Sequence, residues 1–462
     1  MILKNGTIYC NGKLRKGTIL IHGNRIKSIT FEYFGEKVHI FKKQNWDRIE
    51  IDCENKLILP GIIDIHSHLR DMGQKEKETF RTGTKAAAFS GITTVFNMPN
   101  TFPPAIDSKQ VERWMNHAEN NIFIDVGFIA GIPKDLNFDE IKKILKLGVI
   151  GFKIYPHSPI SNIDWKKKEN LRKILAISSK FKRTIFIHPE WPLSDNEKQK
   201  VLKDFSINGI DYLELHDKLK PVDTETKYIE FVLSEYKKFV SENNINSDSY
   251  PIIHFCHISC KKSYLLIKDV LNNNKNFKIS YEVSPHHLLL TKKLVLDNIN
   301  FGKVDPPLRD EEHSKFLFNE LRKGQIKLIG SDHAPHTLKE KSIDFLNSPS
   351  GFPEFETYTF ILLDKVFNNE LPLKYFVHAT SEFPALLFNL SKKGFIKEGY
   401  DADLIIVENV EDFYIKSDNF ISKAKYTPYE NSKSSVKIWK VLLRGKEINI
   451  KNSLTHGKII RI

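Results

Sequence analysis

The sequence predicts an α/β protein: a (β/α)8 barrel of the TIM type with a small β-sandwich domain formed by both chain ends. Three observations support this fold class. The chain has 462 residues, enough for a large barrel and an accessory domain. Its middle alternates apolar strand-like runs with amphipathic stretches. Its ends consist of short alternating runs, so we assign residues 1–55 and 393–462 to the sandwich and residues 56–392 to the barrel.

Both ends of the chain consist of short apolar runs separated by turn residues, a pattern typical of β-strands. Near the start, turn signals at Asn11-Gly12 and Gly23-Asn24 separate the apolar runs. Towards the end, Gly399 and the following residues lead into further runs of the same kind. The predicted strands cover residues 2–9, 18–21, 25–30, 404–407, 436–443 and 459–462. Two such ends around a different middle predict one small domain built from both.

The middle of the chain contains eight strand-like runs with helical stretches between them. The predicted strands are 62–66, 92–97, 122–128, 149–155, 184–188, 252–257, 278–284 and 327–332. Predicted helices include 75–90, 139–147 and 224–239, and residues 193–220 and 241–250 resemble surface insertions. Eight alternating units predict a closed parallel barrel, in which the active site lies at the C-terminal ends of the strands.

The charge balance alone suggests nucleic-acid binding, but the distribution of charge does not. Lys and Arg outnumber Asp and Glu by 70 to 57, a formal net charge of +13. The lysines occur in scattered short groups, such as residues 166–168, mixed with acidic residues. We expect a solvated lysine-rich surface and no nucleic-acid partner, with a positive field that attracts a small anionic substrate.

The cysteines and the apolar runs predict a soluble, cytoplasmic protein. The four cysteines are too few and too irregularly spaced for a disulfide framework, which fits a reducing compartment. No apolar run approaches the length of a membrane span, and the first residues do not resemble a signal peptide. We therefore expect no membrane association.

A pair of histidines, His66 and His68, ends the first predicted barrel strand. Side chains two residues apart on a strand point to the same side, so both imidazoles can face one interior point. Neutral imidazole is a good ligand for zinc and similar metals. Alone, such a pair is more often a polar strand end than a metal site, so the interpretation depends on residues elsewhere.

Further residues of ligand type end later strands of the predicted barrel, and all of them converge on one mouth. They are Lys153 on the fourth strand, His188 on the fifth, His257 on the sixth and Asp332 on the eighth. A cationic lysine beside a metal would be repelled, but a carboxylated lysine can bridge two metals in a hydrolytic centre. Asp332 can both bind metal and accept the proton of the attacking water.

Other histidines are expected to support this centre. His254 and His287 are interpreted as supporting residues, whereas His286, His333 and His336 lie in loops over the mouth, in reach of substrate or of the ligands. The alternative interpretations are a snorkelling lysine for Lys153 and a helix cap for Asp332, each less favoured once the whole set is considered.

Several motifs closely resemble dihydroorotase of the amidohydrolase superfamily, in its long class I type. The resemblance spans nearly the whole chain, and it is greatest to forms with a carboxylated lysine, such as the dihydroorotase domain of the animal pyrimidine multienzyme protein. The motifs are Asp64-Ile-His-Ser-His-Leu-Arg70, residues 77–88, Asn97-Met-Pro-Asn-Thr101, His254-Phe-Cys-His257, Glu282-Val-Ser-Pro-His-His-Leu288, Gly330-Ser-Asp-His-Ala-Pro-His336, Gly351-Phe-Pro and Asp401-Ala-Asp-Leu404.

The resemblance implies a complete set of site residues. It implies that His66, His68 and Asp332 hold one zinc, that His188 and His257 hold another, and that carboxylated Lys153 bridges the two. It also implies that the substrate's carboxylate is clamped by Arg70, Asn100 and His336. A third zinc at Cys256 and Glu282 is implied by the animal domain, although strand alternation predicts that Cys256 points away from His257. The family further implies a homodimer and an association with aspartate transcarbamoylase.

Three residues depart from the family pattern. Asp305 replaces the Asn or Arg that is usual at a substrate-facing position, where an acidic group would repel an anionic ligand unless it is protonated, turned away or paired with Arg309. Glu354 stands where Gly is common, and Phe383 replaces a common Asn. None of the three is a proposed metal ligand.

The sequence therefore predicts a metal-dependent amidase that interconverts dihydroorotate and N-carbamoyl-L-aspartate in de novo pyrimidine biosynthesis. Two alternatives share the same fold. Another cyclic amidase, such as an allantoinase, hydantoinase or dihydropyrimidinase, would share the metal centre but lack the carboxylate clamp. A non-catalytic assembly protein would have lost metal ligands, whereas all six proposed ligands are present here.

Overall fold

The computed structural model describes residues 1–32, 49–207, 211–451 and 454–462, and the strands in these ranges form two sheets. In chain order the strands are β1 (Ile2–Cys10), β2 (Lys13–His22), β3 (Arg25–Phe31), β4 (Glu50–Asp52), β5 (Leu57–Pro60), β6 (Ile62–Ser67), β7 (Ile92–Asn97), β8 (Asp125–Gly131), β9 (Gly151–Ile154), β10 (Thr184–Ile187), β11 (Ile252–Phe255), β12 (Lys278–Tyr281), β13 (Leu404–Tyr414), β14 (Lys433–Leu443), β15 (Lys446–Glu447) and β16 (Ile459–Ile460).

The helices lie mainly between the strands of the second sheet. They are α1 (Phe80–Phe89), α2 (Ser108–Ala118), α3 (Phe138–Lys146), α4 (Lys168–Phe181), α5 (Asp195–Ile207), α6 (Tyr212–Leu219), α7 (Val222–Glu242), α8 (Lys261–Asn273), α9 (Pro285–Leu289), α10 (Glu311–Arg322), α11 (Leu338–Lys341), α12 (Phe355–Phe367), α13 (Leu373–Val377) and α14 (Phe383–Leu387). Short 3-10 turns cover Lys134–Leu136, Ser247–Ser249, Ile299–Gly302 and Ser417–Asn419, and a π-helical turn covers His378–Glu382. Among the described helices, none has the length and apolar character that crossing a membrane requires.

Local sequence signals set the helix boundaries. α1 begins at Phe80, later than the predicted start at residue 75, because Thr79 and Thr82 form a capping box that ends the preceding loop. α3 begins after Asn137, whose side chain accepts hydrogen bonds from the first backbone N–H groups of the helix. α3 and α7 match the predicted helices at 139–147 and 224–239 closely.

Seven parallel strands form the barrel sheet, in the order β12-β11-β10-β9-β8-β7-β6. The segment predicted as the eighth strand, 327–332, forms only an isolated parallel bridge between Ile329 and Val283, and the next residue, His333, bridges Ser67. Backbone hydrogen bonds link this segment to both sides, from the Val283 N–H to the Leu328 carbonyl at 3.2 Å and from the Asp332 N–H to the His66 carbonyl at 3.0 Å. Between them the Ser331 N–H donates to a side chain, Asp64 Oδ1, at 3.1 Å, which interrupts a regular ladder. On one side the segment is bridged to Val283, which follows β12, and on the other side to Ser67, at the end of β6. The two bridges therefore close the predicted barrel.

One strand boundary differs clearly from the prediction. The run predicted as a strand at 122–128 is buried from its first residue, yet β8 begins only at Asp125. Before that point Phe123 donates its backbone N–H to Thr84 Oγ1 at 3.1 Å instead of to a neighbouring strand. Residues 122–124 are apolar because they are buried, but their backbone is not part of the strand, and strand pairing begins at Asp125.

The terminal residues form a second sheet in the order β15-β14-β13-β5-β1-β2-β3, with β4 beside β1. This confirms an α/β barrel with a β domain built from both chain ends. The sheet has its own apolar core, which includes Leu3, Ile19, Ile58 and Leu404. The run predicted at 459–462 departs from this arrangement, because β16 pairs with barrel strand β8. The precise domain boundaries stay a prediction.

A buried charge cluster joins the barrel to the terminal sheet. Lys393 Nζ lies 2.8 Å from Asp125 Oδ2 and 2.5 Å from Asp403 Oδ2. Arg444 binds the same Asp125 at 2.6 Å. Asp125 begins β8, Asp403 precedes β13 and Arg444 follows β14, so the cluster crosses from one sheet to the other.

We expect Lys393→Met to lower the free energy of unfolding by about 3–5 kcal/mol, because buried Asp403 loses its cation and Asp125 keeps only Arg444. Urea unfolding followed by circular dichroism measures this change. Lys392→Met, at the exposed neighbouring position, serves as the matched control. An unchanged unfolding midpoint for Lys393→Met would contradict a stabilising role for the cluster.

Candidate metal centre and substrate cavity

The six predicted metal-binding residues all line one cavity at the C-terminal ends of the barrel strands. The cavity has a volume of about 230 Å³. His66 lies on β6, Lys153 lies on β9, and the other four ligands follow the ends of their strand segments. The residues around the cavity are His66, His68, Arg70, Asn100, Lys153, Tyr155, His157, Ser158, Ile160, His188, His257, Val304, Asp305, Asp332, Ala334, Ser350 and Gly351.

One group of potential ligands consists of His66, His68 and Asp332, all buried. Asp332 Oδ1 lies 3.2 Å from His66 Nε2 and 3.0 Å from His68 Nε2. Burial raises the pKa of Asp332, but the two imidazoles outweigh it and hold that pKa well below its usual range. Burial also lowers the pKa of His68 to about 4. At neutral pH this pair therefore offers an ionised carboxylate and a neutral imidazole, the forms that bind metal.

His188 and His257 form the second part of the centre. Their ring centroids are 4.5 Å apart, and His257 lies 5.2 Å from His66. Burial lowers the pKa of both His188 and His257, so both imidazoles are neutral at pH 7. The buried Nδ1 atom of His257 has no hydrogen-bond partner among the described residues. A buried imidazole nitrogen without a partner, in a ring of other donors, fits a divalent metal.

Lys153 is buried between these two groups, and its Nζ donates a hydrogen bond to Cys256 Sγ at 2.7 Å. Within the described ranges Lys153 makes no ion pair with a carboxylate. The contact corrects the expectation that Cys256 points away from the centre. β11 ends at Phe255, and His257 has a φ of 35°, so strand alternation no longer applies to these two residues. Cys256 and His257 therefore both lie beside the centre.

Glu282 is a buried carboxylate beneath the cavity floor. It accepts hydrogen bonds from His66 Nδ1, from His254 Nε2 at 3.1 Å and from the His257 backbone N–H at 3.2 Å. Burial acts to lower the pKa of His66, but Glu282 outweighs it and raises that pKa to about 10. A carboxylate that holds the Nδ1 side of a histidine directs its Nε2 towards a metal. His66, Cys256 and Glu282 also form a separate group of potential ligands.

The predicted carboxylate clamp is brought together only in part. Arg70 and Asn100 line the cavity, whereas His336 lies behind Arg70, with its Nε2 3.2 Å from Arg70 Nη2. Asn100 has a further contact, because its Oδ1 accepts a hydrogen bond from His68 Nδ1 at 2.6 Å. Arg70 Nε donates to the carbonyl of Pro335 at 3.2 Å, which holds the guanidinium in place. Arg70 thus supplies the cation, and His336 contacts that cation from the side away from the cavity.

Asp305 lines the cavity and is ion-paired, but not with Arg309. Its Oδ2 lies 2.8 Å from Lys220 Nζ, and its Oδ1 lies 3.0 Å from His216 Nε2. Burial raises the pKa of Asp305, but Lys220 and His216 outweigh it and hold that pKa well below its usual range. Arg309 instead binds Asp217 at 2.6 Å. Lys220, which does not line the cavity, therefore compensates the negative charge of Asp305 in the cavity wall.

The remaining histidines support the site from outside the cavity. His254 contacts Glu282, and His287 Nε2 donates to the carbonyl of Pro306 at 3.1 Å. His286 Nδ1 lies 3.2 Å from Glu354, so the unusual glutamate has a buried partner. His333 stacks on Phe355 at a centroid distance of 3.8 Å. His286 and His333 do not line the cavity, so of the two roles expected for them, contact with substrate or support of the ligands, the geometry favours support.

Sequence reasoning missed three residues beside the centre. His157 lines the cavity, and its ring centroid lies 4.2 Å from that of His188. Glu190 accepts a hydrogen bond from His188 Nε2, and Lys220 lies 3.4 Å from the same carboxylate. His157 and Glu190 follow strands β9 and β10 closely, so their positions after strand ends could have identified them. Lys220 follows α6, and strand periodicity carries no signal for it.

Comparison with known proteins agrees with this geometry. A model of the amidohydrolase family matches residues 57–448. A dihydroorotase of Methanosarcina acetivorans is 33% identical over 435 residues, which cover 93% of this chain and 87% of that protein. A dihydroorotase of Pyrococcus abyssi is 33% identical over 458 residues, which cover 98% of this chain and 96% of that protein.

A solved structure shows the same fold. The L-hydantoinase (dihydropyrimidinase) of Arthrobacter aurescens has a TM-score of 0.85 and 24% sequence identity, covering 100% of this chain and 99% of that protein. At this identity the likeness concerns the fold and does not distinguish between substrates. The chain therefore belongs to the amidohydrolase family of hydrolases, and over nearly its whole length it is similar to the dihydroorotases of that family.

Proposed function

We propose that this hydrolase interconverts dihydroorotate and N-carbamoyl-L-aspartate, a step of de novo pyrimidine biosynthesis. The observation that carries the proposal is the presence of Arg70 in the wall of the same cavity as six residues of metal-ligand type. A buried guanidinium suits a substrate that carries a carboxylate beside its reacting amide. The names of the archaeal relatives support the same substrate.

We further propose that the centre holds two zinc ions. His66, His68 and Asp332 would hold one, His188 and His257 the other, and Lys153, carboxylated by carbon dioxide, would bridge them. The burial of Lys153 in the cavity wall, beside the four histidines and Asp332, supports the bridging role. When bound, the metals would polarise the amide carbonyl and activate the attacking water.

The residues of the chain supply the remaining steps of the reaction. Arg70 binds the substrate carboxylate and sets the ring's orientation, and Asn100 lines the same cavity beside His68. Asp332 takes the proton from the attacking water and passes it to the ring nitrogen as the ring C–N bond breaks and a C–O bond forms. Its lowered pKa means that the carboxylate is ionised at neutral pH, the form that this role requires. The reverse reaction uses the same groups in the opposite order.

Other predictions from the sequence are retained as proposals. They are a cytoplasmic location, a homodimer, and association with aspartate transcarbamoylase. A third zinc at Cys256 and Glu282 also stays a proposal, supported by the position of both residues next to His66. The alternative role of Glu282 is to orient His66 without binding metal.

Removal of the bridging residue tests the two-metal centre. Lys153→Ala is expected to lose one or both metals and at least about 10²-fold in kcat, because the bridge holds both ions against the substrate. Elemental analysis gives the metal content per chain, and added propionate should restore part of the activity by supplying a carboxylate in place of the carbamate. Lys315→Ala, at an exposed surface lysine, is the control. Two metals and normal turnover in Lys153→Ala would contradict the bridging role.

Metal content also separates the two roles of Glu282. If Glu282 only orients His66, Glu282→Gln should weaken metal binding by roughly 10- to 100-fold, and Cys256→Ser should leave the metal content unchanged. If a third zinc binds, wild-type protein should contain three ions and Cys256→Ser two. Elemental analysis of the three proteins, prepared in parallel with excess zinc and then dialysed, distinguishes these results.

A panel of substrates tests the assignment itself. The wild type should hydrolyse dihydroorotate far better than dihydrouracil, which has the same ring without the carboxylate, and better than hydantoin or allantoin. Arg70→Ala should lose about 2–5 kcal/mol of transition-state stabilisation for dihydroorotate, roughly 30- to several-thousand-fold in kcat/KM. It should change dihydrouracil turnover and metal content little.

The same panel contains the outcomes that oppose the assignment. A wild type that prefers an uncharged ring would be another cyclic amidase, and the dihydroorotate proposal would fail. Full dihydroorotate turnover in Arg70→Ala would show that the carboxylate is bound elsewhere. Arg70→Lys should give intermediate activity, because a lysine keeps the charge but loses the two parallel hydrogen bonds.

A further inference from the structure

Lys220 connects the cavity wall to the metal centre. Its Nζ lies 2.8 Å from Asp305 Oδ2 and 3.4 Å from Glu190 Oε2. Asp305 lines the cavity, and Glu190 is buried behind His188. One ammonium therefore holds two carboxylates that belong to different parts of the site. Lys220 directly follows α6, a helix in the insertion between β10 and β11.

The second carboxylate of this pair controls a proposed metal ligand. His188 Nε2 donates its hydrogen bond to Glu190 Oε2, which leaves Nδ1 as the ring nitrogen available to a metal. The other oxygen of Glu190, Oε1, is buried and has no hydrogen-bond partner among the described residues. Lys220 is thus the cation in contact with Glu190. It balances the charge of Glu190 while Glu190 holds the His188 ring.

The first carboxylate affects the charge that a substrate meets. Asp305 and Glu190 carry two negative charges, and Lys220 neutralises one of them. His216 adds a contact to Asp305 at 3.0 Å, but its Nε2 also lies 2.9 Å from the carbonyl of Val304. The hydrogen bond of His216 Nε2 goes to that carbonyl, and Asp305 Oδ1 has no hydrogen-bond partner among the described residues, so Lys220 is the cation that balances Asp305. Without Lys220, the wall would present the uncompensated charge of Asp305 to an anionic ligand, with the charge of buried Glu190 behind it.

We propose that Lys220 is a positioning residue with two roles: it holds Glu190 against His188, and it makes the cavity wall acceptable to an anionic substrate despite Asp305. The second role rests on the proposed function, because it requires a substrate carboxylate. The first role concerns metal retention and is independent of the substrate. Lys220 acts through other side chains, since it does not itself line the cavity.

The first experiment measures metal retention and substrate binding in Lys220→Met. The apparent affinity for the more weakly held metal, measured by competition with a chelator, should fall by about 10- to 100-fold, the usual cost of losing an outer partner of a ligand. The KM for dihydroorotate should rise on the order of tenfold, as expected for one uncompensated charge roughly 10 Å away at an effective dielectric constant near 20. The inhibition constant of neutral dihydrouracil should not change.

A second variant separates the two roles. Asp305→Asn/Lys220→Met removes one charge of each sign, so the KM for dihydroorotate should return to near the wild-type value. Metal retention should stay weak, because Glu190 still lacks its cation. Asp305→Asn alone should keep metal retention and lower the KM for dihydroorotate, because Lys220 is then balanced by Glu190 only.

Controls distinguish positioning from a general loss of structure. Lys220→Arg should keep both properties near wild type, and Lys218→Met, at an exposed lysine in the last turn of α6, should leave both unchanged. Thermal unfolding checks that each variant folds, with Lys220→Gln as the replacement if Lys220→Met does not. Wild-type metal retention in a folded Lys220→Met or Lys220→Gln protein would overturn the first role.

A different result would contradict the second role, the compensation of charge in the cavity wall. An equal loss of affinity for dihydroorotate and dihydrouracil, or a high KM in the double variant, would overturn the electrostatic role of Lys220. If the wild type does not hydrolyse dihydroorotate at all, the proposed function fails, yet chelator competition still decides whether Lys220 holds the metal ligand. The two failures are therefore distinguishable.

Discussion

The hydrogen bond between His66 and the buried carboxylate of Glu282 is the interaction on which the geometry of the site depends. Glu282 has three partners: two imidazoles and one backbone N–H from the segment that carries His257. It therefore links the ends of three barrel segments under the cavity floor. A carboxylate buried this deeply is stable only when its hydrogen bonds are satisfied, so the three segments hold one another in register. The direction of the His66 ring follows from this arrangement.

The same principle is repeated around the cavity. Asn100 holds the Nδ1 side of His68, and Glu190 holds the Nε2 side of His188. In each case one ring nitrogen forms a hydrogen bond with an oxygen acceptor, and the other ring nitrogen faces away from that acceptor. Burial lowers the pKa of both His68 and His188, so these oriented imidazoles are neutral at pH 7, the form in which an imidazole can bind a metal. The outer partners are therefore as specific a part of the centre as the ligands themselves.

Strand ends were predictable from the sequence because a parallel barrel places them at one mouth. His66, Lys153 and His257 were located by counting apolar runs, and the structure brings them to a single cavity. The eighth run was predicted as a strand because it is apolar, and its backbone does bond to both neighbouring segments. It forms isolated bridges and no continuous ladder, because the Ser331 N–H donates to the Asp64 side chain and the Ile329 N–H donates to the Ala379 carbonyl. A run of apolar residues indicates that a segment is buried, but it does not indicate which of its backbone groups form hydrogen bonds with a neighbouring strand.

Contacts that depend on irregular backbone could not be predicted. Cys256 was expected to point away from His257, but β11 ends at Phe255, two residues before the predicted end, and the left-handed φ of His257 removes the alternation. The partner of Asp305 was sought nearby in the sequence at Arg309, whereas the structure supplies Lys220 from a helical insertion. Periodicity assigns residues to faces of strands and helices, and it carries no information about which insertion folds back over the mouth.

The terminal sheet has a consequence for the order in which the protein assembles. β5, next to the first barrel strand, pairs with β13, so the whole barrel lies between two partner strands. During synthesis, β5 leaves the ribosome long before β13 exists, so the edge of β5 that does not pair with β1 stays exposed until the barrel residues have followed. Pairing over so great a sequence separation is slow unless an intermediate brings the partners together. A barrel that forms first would supply this proximity, and premature release of the chain would leave an unpaired strand edge open to aggregation.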